Sequence, residues 1–229
     1  SNNTRNATTA SIEGGEVTGT VTATKNYAGG AAGANYANIS DVALTGRARV
    51  RANDQFAGGI AGSNRAGTNG QIGTITRCTN NAKPNGNNYT VYATNGNAGG
   101  IAGSNEKGAQ IINAGVDNGV KIGVAKCDAA GIAANNFGII TGGTVGSCDI
   151  TFAGESIGAV TAINNAGAEI SGVTLTGGAT IAFHGPATNV GGIAGKNAGT
   201  IGGCKVESPA LALNGLTARA DSISLGGAA

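Results

Sequence analysis

Small apolar residues recur along the chain in short stretches, and no segment keeps the 3.6-residue spacing of a long helix. The first kind of stretch is the motif GGIAGSN at Gly58–Asn64, which returns at Gly99–Asn105 and, as GGIAGKN, at Gly191–Asn197. Related stretches end at Asn35, Asn136 and Asn164. The motifs recur every 28 to 41 residues, a spacing that is typical of a solenoid repeat.

Two further kinds of stretch lie between these motifs. One has an aliphatic residue, then a small apolar residue three positions on, then usually an aliphatic residue two positions later, as in Ile39–Val42–Leu44. We place its copies, and hence the coils, near residues 12, 39, 75, 111, 145, 170 and 201. The other kind alternates β-branched and polar residues, as in TGTVTAT and YTVYA, and predicts a short strand.

Each repeat therefore predicts about three short strands separated by corners rich in Gly and Asn. Parallel strands of successive repeats stack about 4.8 Å apart, which makes each repeat one coil of a β-solenoid. We predict a single all-β domain over residues 1–229, a parallel β-helix of about seven coils. The general preference for right-handed crossovers predicts a right-handed helix. Because neither end shows a polar cap, we expect a slice of a longer array, or a subunit that associates end to end.

One asparagine occupies the same place in six of the predicted coils. Stacked asparagines can hydrogen-bond from coil to coil as a ladder, and we expect these side chains to have a structural role. The glycines beside them suit corners that need positive φ or a close backbone approach. The predicted ladder consists of Asn35, Asn64, Asn105, Asn136, Asn164 and Asn197.

Composition and charge limit the classes of function. Of the 229 residues 43 are Gly, only 11% are charged and 3% are aromatic, so the core must be thin and aliphatic. The net charge of +2 gives no global field toward nucleic acid. No stretch approaches the roughly 18 apolar residues of a spanning helix, so we expect no membrane insertion. GGIAGSN also lacks the strand–loop–helix setting of a phosphate-binding loop, and we expect no cofactor.

The segment GGIAGKNAGTIGGCKV at Gly191–Val206 resembles the GLUG repeat, and Gly58–Asn64 and Gly99–Asn105 resemble it in part. GLUG repeats belong to large bacterial cell-surface and secreted proteins. The resemblance implies an extracellular spacer or adhesive segment of a bacterial surface protein, and it brings no catalytic residues. The partners it implies are glycans or host surface proteins, together with neighbouring repeats or domains at both ends.

The four cysteines are expected to be unpaired. Cys78, Cys148 and Cys204 align at the small position of the second kind of stretch, in coils that alternate with coils lacking Cys. The nearest pair is then two coils apart, about 9–10 Å, which is too far for a disulfide. We predict buried free thiols at these three positions. Cys127 has no evident partner, and with His184 as the single histidine we expect no metal site.

Catalytic chemistry has little support in the sequence. The twelve acidic residues are scattered, without the convergent carboxylate pair of a glycosidase. We therefore predict a protein that is not an enzyme. The alternatives are a carbohydrate-binding or carbohydrate-active β-helix, and a self-stacking filament or phage-fibre subunit.

One predicted strand carries a candidate ligand-binding surface. In RARVRA, an inward Val50 directs Arg49 and Arg51 outward together. If Val91 of YTVYA aligns with Val50, Tyr92 lies beside Arg51, and the pair can stack on a sugar or hold an acidic group. A solvated face is the alternative for these three residues. The longer coils also carry two insertions, Gly62–Thr74 and Asn80–Tyr89, which either lie where binding occurs or are neutral.

Overall fold

The computed structural model is a stack of short parallel strands. It describes residues 10–67, 70–83, 85–86, 88–117, 119–176, 180–185, 188–207, 210–214 and 224–226. These residues form 34 strands and no helix, arranged as a β-solenoid with five parallel sheets. The predicted fold class, all-β with parallel coils, is confirmed, and the right-handed sense stays a prediction. None of the described segments is a helix with the length and apolarity needed to cross a membrane.

Each sheet takes one strand from each turn of the solenoid. Sheet 1 contains β1 (Ser11–Glu13), β6 (Asn38–Ser40), β11 (Thr74–Thr76), β16 (Gln110–Ile112), β21 (Ile139–Thr141), β26 (Glu169–Ser171) and β31 (Thr200–Gly202). Sheet 2 contains β2 (Glu16–Val17), β7 (Ala43–Leu44), β12 (Thr79–Asn80), β17 (Gly115–Val116), β22 (Thr144–Val145), β27 (Thr174–Leu175) and β32 (Lys205–Val206). Sheet 3 contains β3 (Thr20–Ala23), β8 (Arg49–Ala52), β13 (Val91–Ala93), β18 (Val120–Val124), β23 (Cys148–Thr151), β28 (Thr180–His184) and β33 (Ala210–Asn214).

The last two sheets complete the turn. Sheet 4 contains β4 (Tyr27–Gly29), β9 (Phe56–Gly58), β14 (Asn97–Gly99), β19 (Ala129–Ala130), β24 (Ser156–Gly158), β29 (Asn189–Gly191) and β34 (Ser224–Gly226). Sheet 5 contains β5 (Ala32–Asn35), β10 (Ala61–Asn64), β15 (Ala102–Asn105), β20 (Ala133–Asn136), β25 (Thr161–Asn164) and β30 (Ala194–Asn197). The described strands thus make six complete turns and four strands of a seventh, close to the seven coils predicted.

Each turn has five strands where the sequence predicts about three, because two of the three kinds of stretch bend in the middle. GGIAGSN ends one strand of sheet 4 at Gly58, turns at Gly59 and Ile60, and begins a strand of sheet 5 at Ala61. The second kind of stretch, of which Ile39–Val42–Leu44 is an example, is divided in the same way between sheets 1 and 2. Only the alternating stretch remains a single strand, in sheet 3. The sequence pattern therefore predicts the repeating unit correctly, but it does not predict where the chain bends within that unit.

The register agrees with six of the seven predicted coil starts. Equivalent isoleucines pair from turn to turn in sheet 1, from Ile12 to Ile201. The fifth coil is the exception, because Ile140, and not a residue near 145, pairs with Ile111 and Ile170. Ile140, Gly143 and Val145 have the same spacing as Val145, Cys148 and Ile150, and the sequence alignment selects the second set in error.

The corner between sheets 1 and 2 requires a left-handed backbone. The residue that follows the sheet-1 strand has positive φ in all seven described turns, between 51° and 67°. Glycine occupies four of these positions, and non-glycine residues have φ of 51° to 56° at the others, namely Asp41, Arg77 and Asn113. The left-handed region costs a side chain about 1–2 kcal/mol, which explains the preference for glycine here.

The interior consists of aliphatic side chains that stack from turn to turn, and in the described part of the chain it also contains a buried hydroxyl without a hydrogen-bond partner. Ile39, Ile75 and Ile111 are at most 1% exposed, and they stack in sheet 1. Thr161 lies in sheet 5 between Ala133 and Ala194 of the neighbouring turns. Among the described residues, its hydroxyl is the buried side-chain group that has no hydrogen-bond partner. An unpaired buried hydroxyl destabilises the folded state by about 1–3 kcal/mol.

We therefore expect Thr161→Val to stabilise the protein by about 1 kcal/mol, since it keeps the shape of the side chain and removes the unpaired hydroxyl. The measurement is the free energy of unfolding from chemical denaturation. Thr161→Ser is the matched control: it keeps the hydroxyl and loses the methyl group, and we expect it to be less stable than the parent. A Val variant that is less stable than the parent would contradict the assignment of this atom as unsatisfied.

Candidate functional site

The six predicted ladder asparagines form a continuous hydrogen-bonded column. The side-chain amide of each donates to the Oδ1 atom of the next, over 2.8–2.9 Å, from Asn35 through to Asn197. Several also donate to a backbone carbonyl of the neighbouring turn, as Asn64 does to Gln110 (2.9 Å). The first five are fully buried, and Asn197 is exposed. The column uses its polar groups internally and is a structural element of the fold.

The cysteines are free thiols, but they do not share one position. Cys78 and Cys204 lie at the corner between sheets 1 and 2, whereas Cys148 begins β23 and pairs with Val120 and Ile181 in sheet 3. Cys78 and Cys148 are buried as predicted. Cys204 is only half-buried, contrary to the prediction, because it lies in the seventh turn, the last one described, where no described strand of a further turn packs on it. Burial raises the pKa of the Cys148 thiol to about 12 and also raises the pKa of Cys78, which makes both thiols poor nucleophiles.

The predicted Arg–Tyr surface lies on the outer side of sheet 3. Val50 pairs with Val91, and Arg51 pairs with Tyr92, as the alignment of the chain's own repeats predicts. The guanidinium carbon of Arg51 is 5.6 Å from the centre of the Tyr92 ring. Arg49 is two residues before Arg51 on the same strand, so its side chain lies on the same face of sheet 3. All three of these outward side chains are partly exposed, while the two valines are fully buried.

A second tyrosine, which the strand pattern does not select, completes this surface. Tyr89 stacks on Tyr92, with ring centres 5.1 Å apart and an interplanar angle of 25°. Its ring lies over Gly123 of the next turn, where an added Cβ atom would be 2.6 Å from Tyr89 Cδ1. Two features of the sequence point to this tyrosine: it lies in the insertion before β13, and Gly123 is a lone glycine within a strand of β-branched residues. We refer to Arg49, Arg51, Tyr89 and Tyr92 as the ledge.

Two depressions of about 290 Å³ each lie along the same face. The first borders Arg51 and Tyr92, and the second borders Tyr89. The first is lined by Thr22, Ala23, Thr24, Arg51, Ala52, Asn53, Tyr92 and Thr94. The second is lined by Tyr89, Lys121, Asp149, Thr151 and His184. Since Tyr89 and Tyr92 stack on each other, the two depressions adjoin and the pair of rings forms the boundary between them.

The ledge is electrostatically unsatisfied in the part of the chain that the structure describes. Neither Arg49 nor Arg51 has a carboxylate within 4.0 Å, and the ion pair found among these residues joins Arg77 to Asp41 (2.6 Å) on another face. The hydrogen bond from Arg77 holds the pKa of the Asp41 carboxyl below its usual value. Further along sheet 3, Lys121 pairs in register with Asp149, and its ammonium donates to the Gly86 carbonyl (3.1 Å).

A second aromatic cluster is satisfied internally. Tyr27 stacks on Phe56 with ring centres 5.8 Å apart. The guanidinium of Arg65 lies 4.5 Å from the centre of the Tyr27 ring. It donates to the hydroxyls of Ser63 (2.8 Å), Tyr27 (2.5 Å) and Tyr36 (3.4 Å). Because these groups hold Arg65 in place, the cluster acts as a clamp across the first two turns and offers less to a ligand than the ledge.

Neither a metal site nor a similarity to known proteins adds residues to the ledge. Within the described ranges, no three His, Cys, Asp or Glu side chains group closely enough to hold a metal ion. Comparison of the chain with protein-family models, curated proteins and solved structures finds no match. The resemblance of Gly191–Val206 to the GLUG repeat therefore stays a prediction from the motif, and the geometry of the ledge is the basis for a functional proposal.

Proposed function

We propose that this chain is a non-enzymatic structural and adhesive segment of an extracellular bacterial surface protein. It is a stiff rod that presents the ledge to a ligand, for which glycans are the best chemical match. The observation that carries the proposal is the contrast between an interior that repeats and an outer face of sheet 3 that does not. The GLUG-like motif supports the surface location.

The interior suits a spacer. Parallel strands join the described turns one to the next, in five sheets through the sixth turn and in four sheets between the sixth and the seventh. The asparagine column adds a continuous set of side-chain hydrogen bonds. A solenoid of this kind is extended along one axis, and each turn contacts only its neighbours. Such a rod holds a contact surface at a fixed distance from its point of attachment.

The outer face of sheet 3 suits adhesion. Its equivalent positions carry Thr22, Arg51, Tyr92, Gly123, Thr151 and His184 in successive turns, so no two neighbouring turns share a residue type there. A partly exposed aromatic pair beside guanidinium groups without carboxylate partners is typical of a surface that binds a ligand. The lining residues of the two depressions include one carboxylate, Asp149, whereas glycoside hydrolysis generally uses two.

The test is a glycan array probed with the parent protein and with the double variant Arg51→Ala, Tyr92→Ala. We expect the parent to retain at least one class of glycan and the double variant to lose it. Lys196→Ala, an exposed position in sheet 5, is the control that removes one positive charge elsewhere. An array without any bound glycan, or equal binding by the double variant, would overturn the adhesive role. New reducing ends released from a bound glycan would instead support the carbohydrate-active alternative.

A further inference from the structure

We propose that the ligand of the ledge is a linear acidic polysaccharide that lies along the solenoid axis, across both depressions. An acidic group of the polymer binds Arg51, and a sugar ring packs against the Tyr89–Tyr92 pair. The inference rests on the proposed function and adds the class, the charge and the direction of the ligand.

The direction follows from the register of sheet 3. Arg51, Tyr92, Gly123, Thr151 and His184 stand in one column, each paired with the next. At roughly 4.8 Å per turn the column is about 19 Å long. Arg51 and Tyr92 of this column line the first depression, and Thr151 and His184 line the second. Tyr89, which also lines the second depression, stacks on Tyr92. An extended polymer parallel to the axis contacts both, whereas a compact ligand fills only one.

The tyrosine pair favours a sugar as the central contact. Tyr89 and Tyr92 are stacked with an angle of 25° between their planes, and both are partly exposed. The face of an aromatic ring is electron-rich and attracts the polarised C–H groups on one face of a pyranose. The phenol hydroxyls at the ring edges can exchange hydrogen bonds with sugar hydroxyls.

The charges favour an acidic polymer and set which end carries the acidic group. Arg49, Arg51 and Lys121 are the cations on the outer face of sheet 3 in turns 2 to 4, and Asp149 is the anion that follows in turn 5. A planar guanidinium binds a carboxylate through two parallel hydrogen bonds. The far end, with Asp149, Thr151 and His184, offers partners for neutral hydroxyl groups. We therefore place the acidic group at turns 2 and 3.

Gly123 leaves the space that the Tyr89 ring occupies over sheet 3. Every other residue of the column carries a side chain, while at Gly123 an added Cβ would overlap the Tyr89 ring. Gly123 has no positive φ that would require glycine for the backbone. The glycine therefore serves the ring above it. Replacing it with Thr, the residue one turn on at position 151, displaces Tyr89 without removing any ledge residue.

Affinity electrophoresis and calorimetry with defined polymers test the inference. The probes are polygalacturonate, the same polymer fully methyl-esterified, dextran sulfate and neutral dextran. The proteins are the parent, Arg51→Ala, Gly123→Thr and Tyr89→Ala, with Lys196→Ala as the control. Thermal unfolding of every variant is recorded, and Tyr89→Ala, a change in a surface connection, keeps the test valid if Gly123→Thr misfolds.

We expect polygalacturonate to bind the parent at least tenfold more tightly than its methyl ester does. We expect Arg51→Ala and Gly123→Thr each to bind polygalacturonate about tenfold more weakly than the parent does. Dextran sulfate binding in place of polygalacturonate supports the acidic class with sulfate as the group. Equal binding of the ester, with loss in the tyrosine variant, overturns the acidic ligand and leaves the adhesive function standing. No binding to any of the four polymers, together with an empty glycan array, overturns both.

Discussion

Replacing Asn105 with Ala is expected to lower the free energy of unfolding by about 4 kcal/mol. Asn105 is fully buried in the middle of the asparagine column, where it accepts from Asn64 and donates to Asn136, each over 2.9 Å. The truncation removes these two bonds and the bond from the Asn105 amide to the Ile139 carbonyl, so three buried neighbouring groups each lose one hydrogen bond. Each bond lost in the buried column costs about 1–3 kcal/mol, although the Asn64 amide and the Asn136 side-chain carbonyl keep one other partner each. Equilibrium denaturation followed by far-ultraviolet circular dichroism measures the change.

The matched control for this prediction is Asn197→Ala. Asn197 is the last asparagine of the column and is exposed, so water replaces the lost hydrogen bonds. We expect a loss below about 1 kcal/mol for this variant. Equal losses at positions 105 and 197 would show that the column does not stabilise the protein through buried side-chain hydrogen bonds.

Gly99→Ala is expected to destabilise the protein by about 3 kcal/mol or more. Gly99 ends β14 at the corner between sheets 4 and 5, where the two strands approach each other backbone to backbone. An added Cβ would overlap the Ala102 carbonyl oxygen and lie 2.8 Å from that of Ile132. Adding one carbon to a packed interior typically costs about 1–3 kcal/mol, and here the clash is with backbone, which cannot rotate away. Chemical denaturation measures the loss.

Gly19→Ala is the control for that experiment. Gly19 is exposed, has no positive φ, and an added Cβ would meet no heavy atom within 4 Å. Alanine there reduces the conformational freedom of the unfolded chain, so we expect no loss or a small gain in stability. If Gly99→Ala were as stable as Gly19→Ala, close backbone approach would not be the reason for the repeated glycines.

The repeating part of the structure could be predicted because each feature recurs at equivalent positions. The asparagine at the end of GGIAGSN recurs in six turns, and the structure places all six in one column. The corner inside the motif could not be predicted, because Gly59 and Ile60 fit equally well into a continuous strand. The glycines there have no positive φ, so their role depends on a neighbouring strand that a sequence pattern does not reveal.

The errors have related physical causes. The spacing of Cys148 to Val145 and Ile150 matches that of the repeat and so aligns Cys148 with Cys78, whereas the strand pairing places Ile140 and Gly143 at the equivalent positions. The pairing of Arg51 with Tyr92 follows from alternation alone and was predictable. Tyr89 was not selected, because it lies in a connection without periodicity and reaches a glycine 34 residues away.

The most direct test of the division between a repeating scaffold and a binding face is one binding experiment on two variants. Polygalacturonate affinity is measured for Asn105→Ala and for Arg51→Ala at a temperature at which both are folded. We predict that Asn105→Ala, although less stable, binds as the parent does, and that Arg51→Ala, although as stable as the parent, binds about tenfold more weakly. Weakened binding by Asn105→Ala together with unchanged binding by Arg51→Ala would contradict this division.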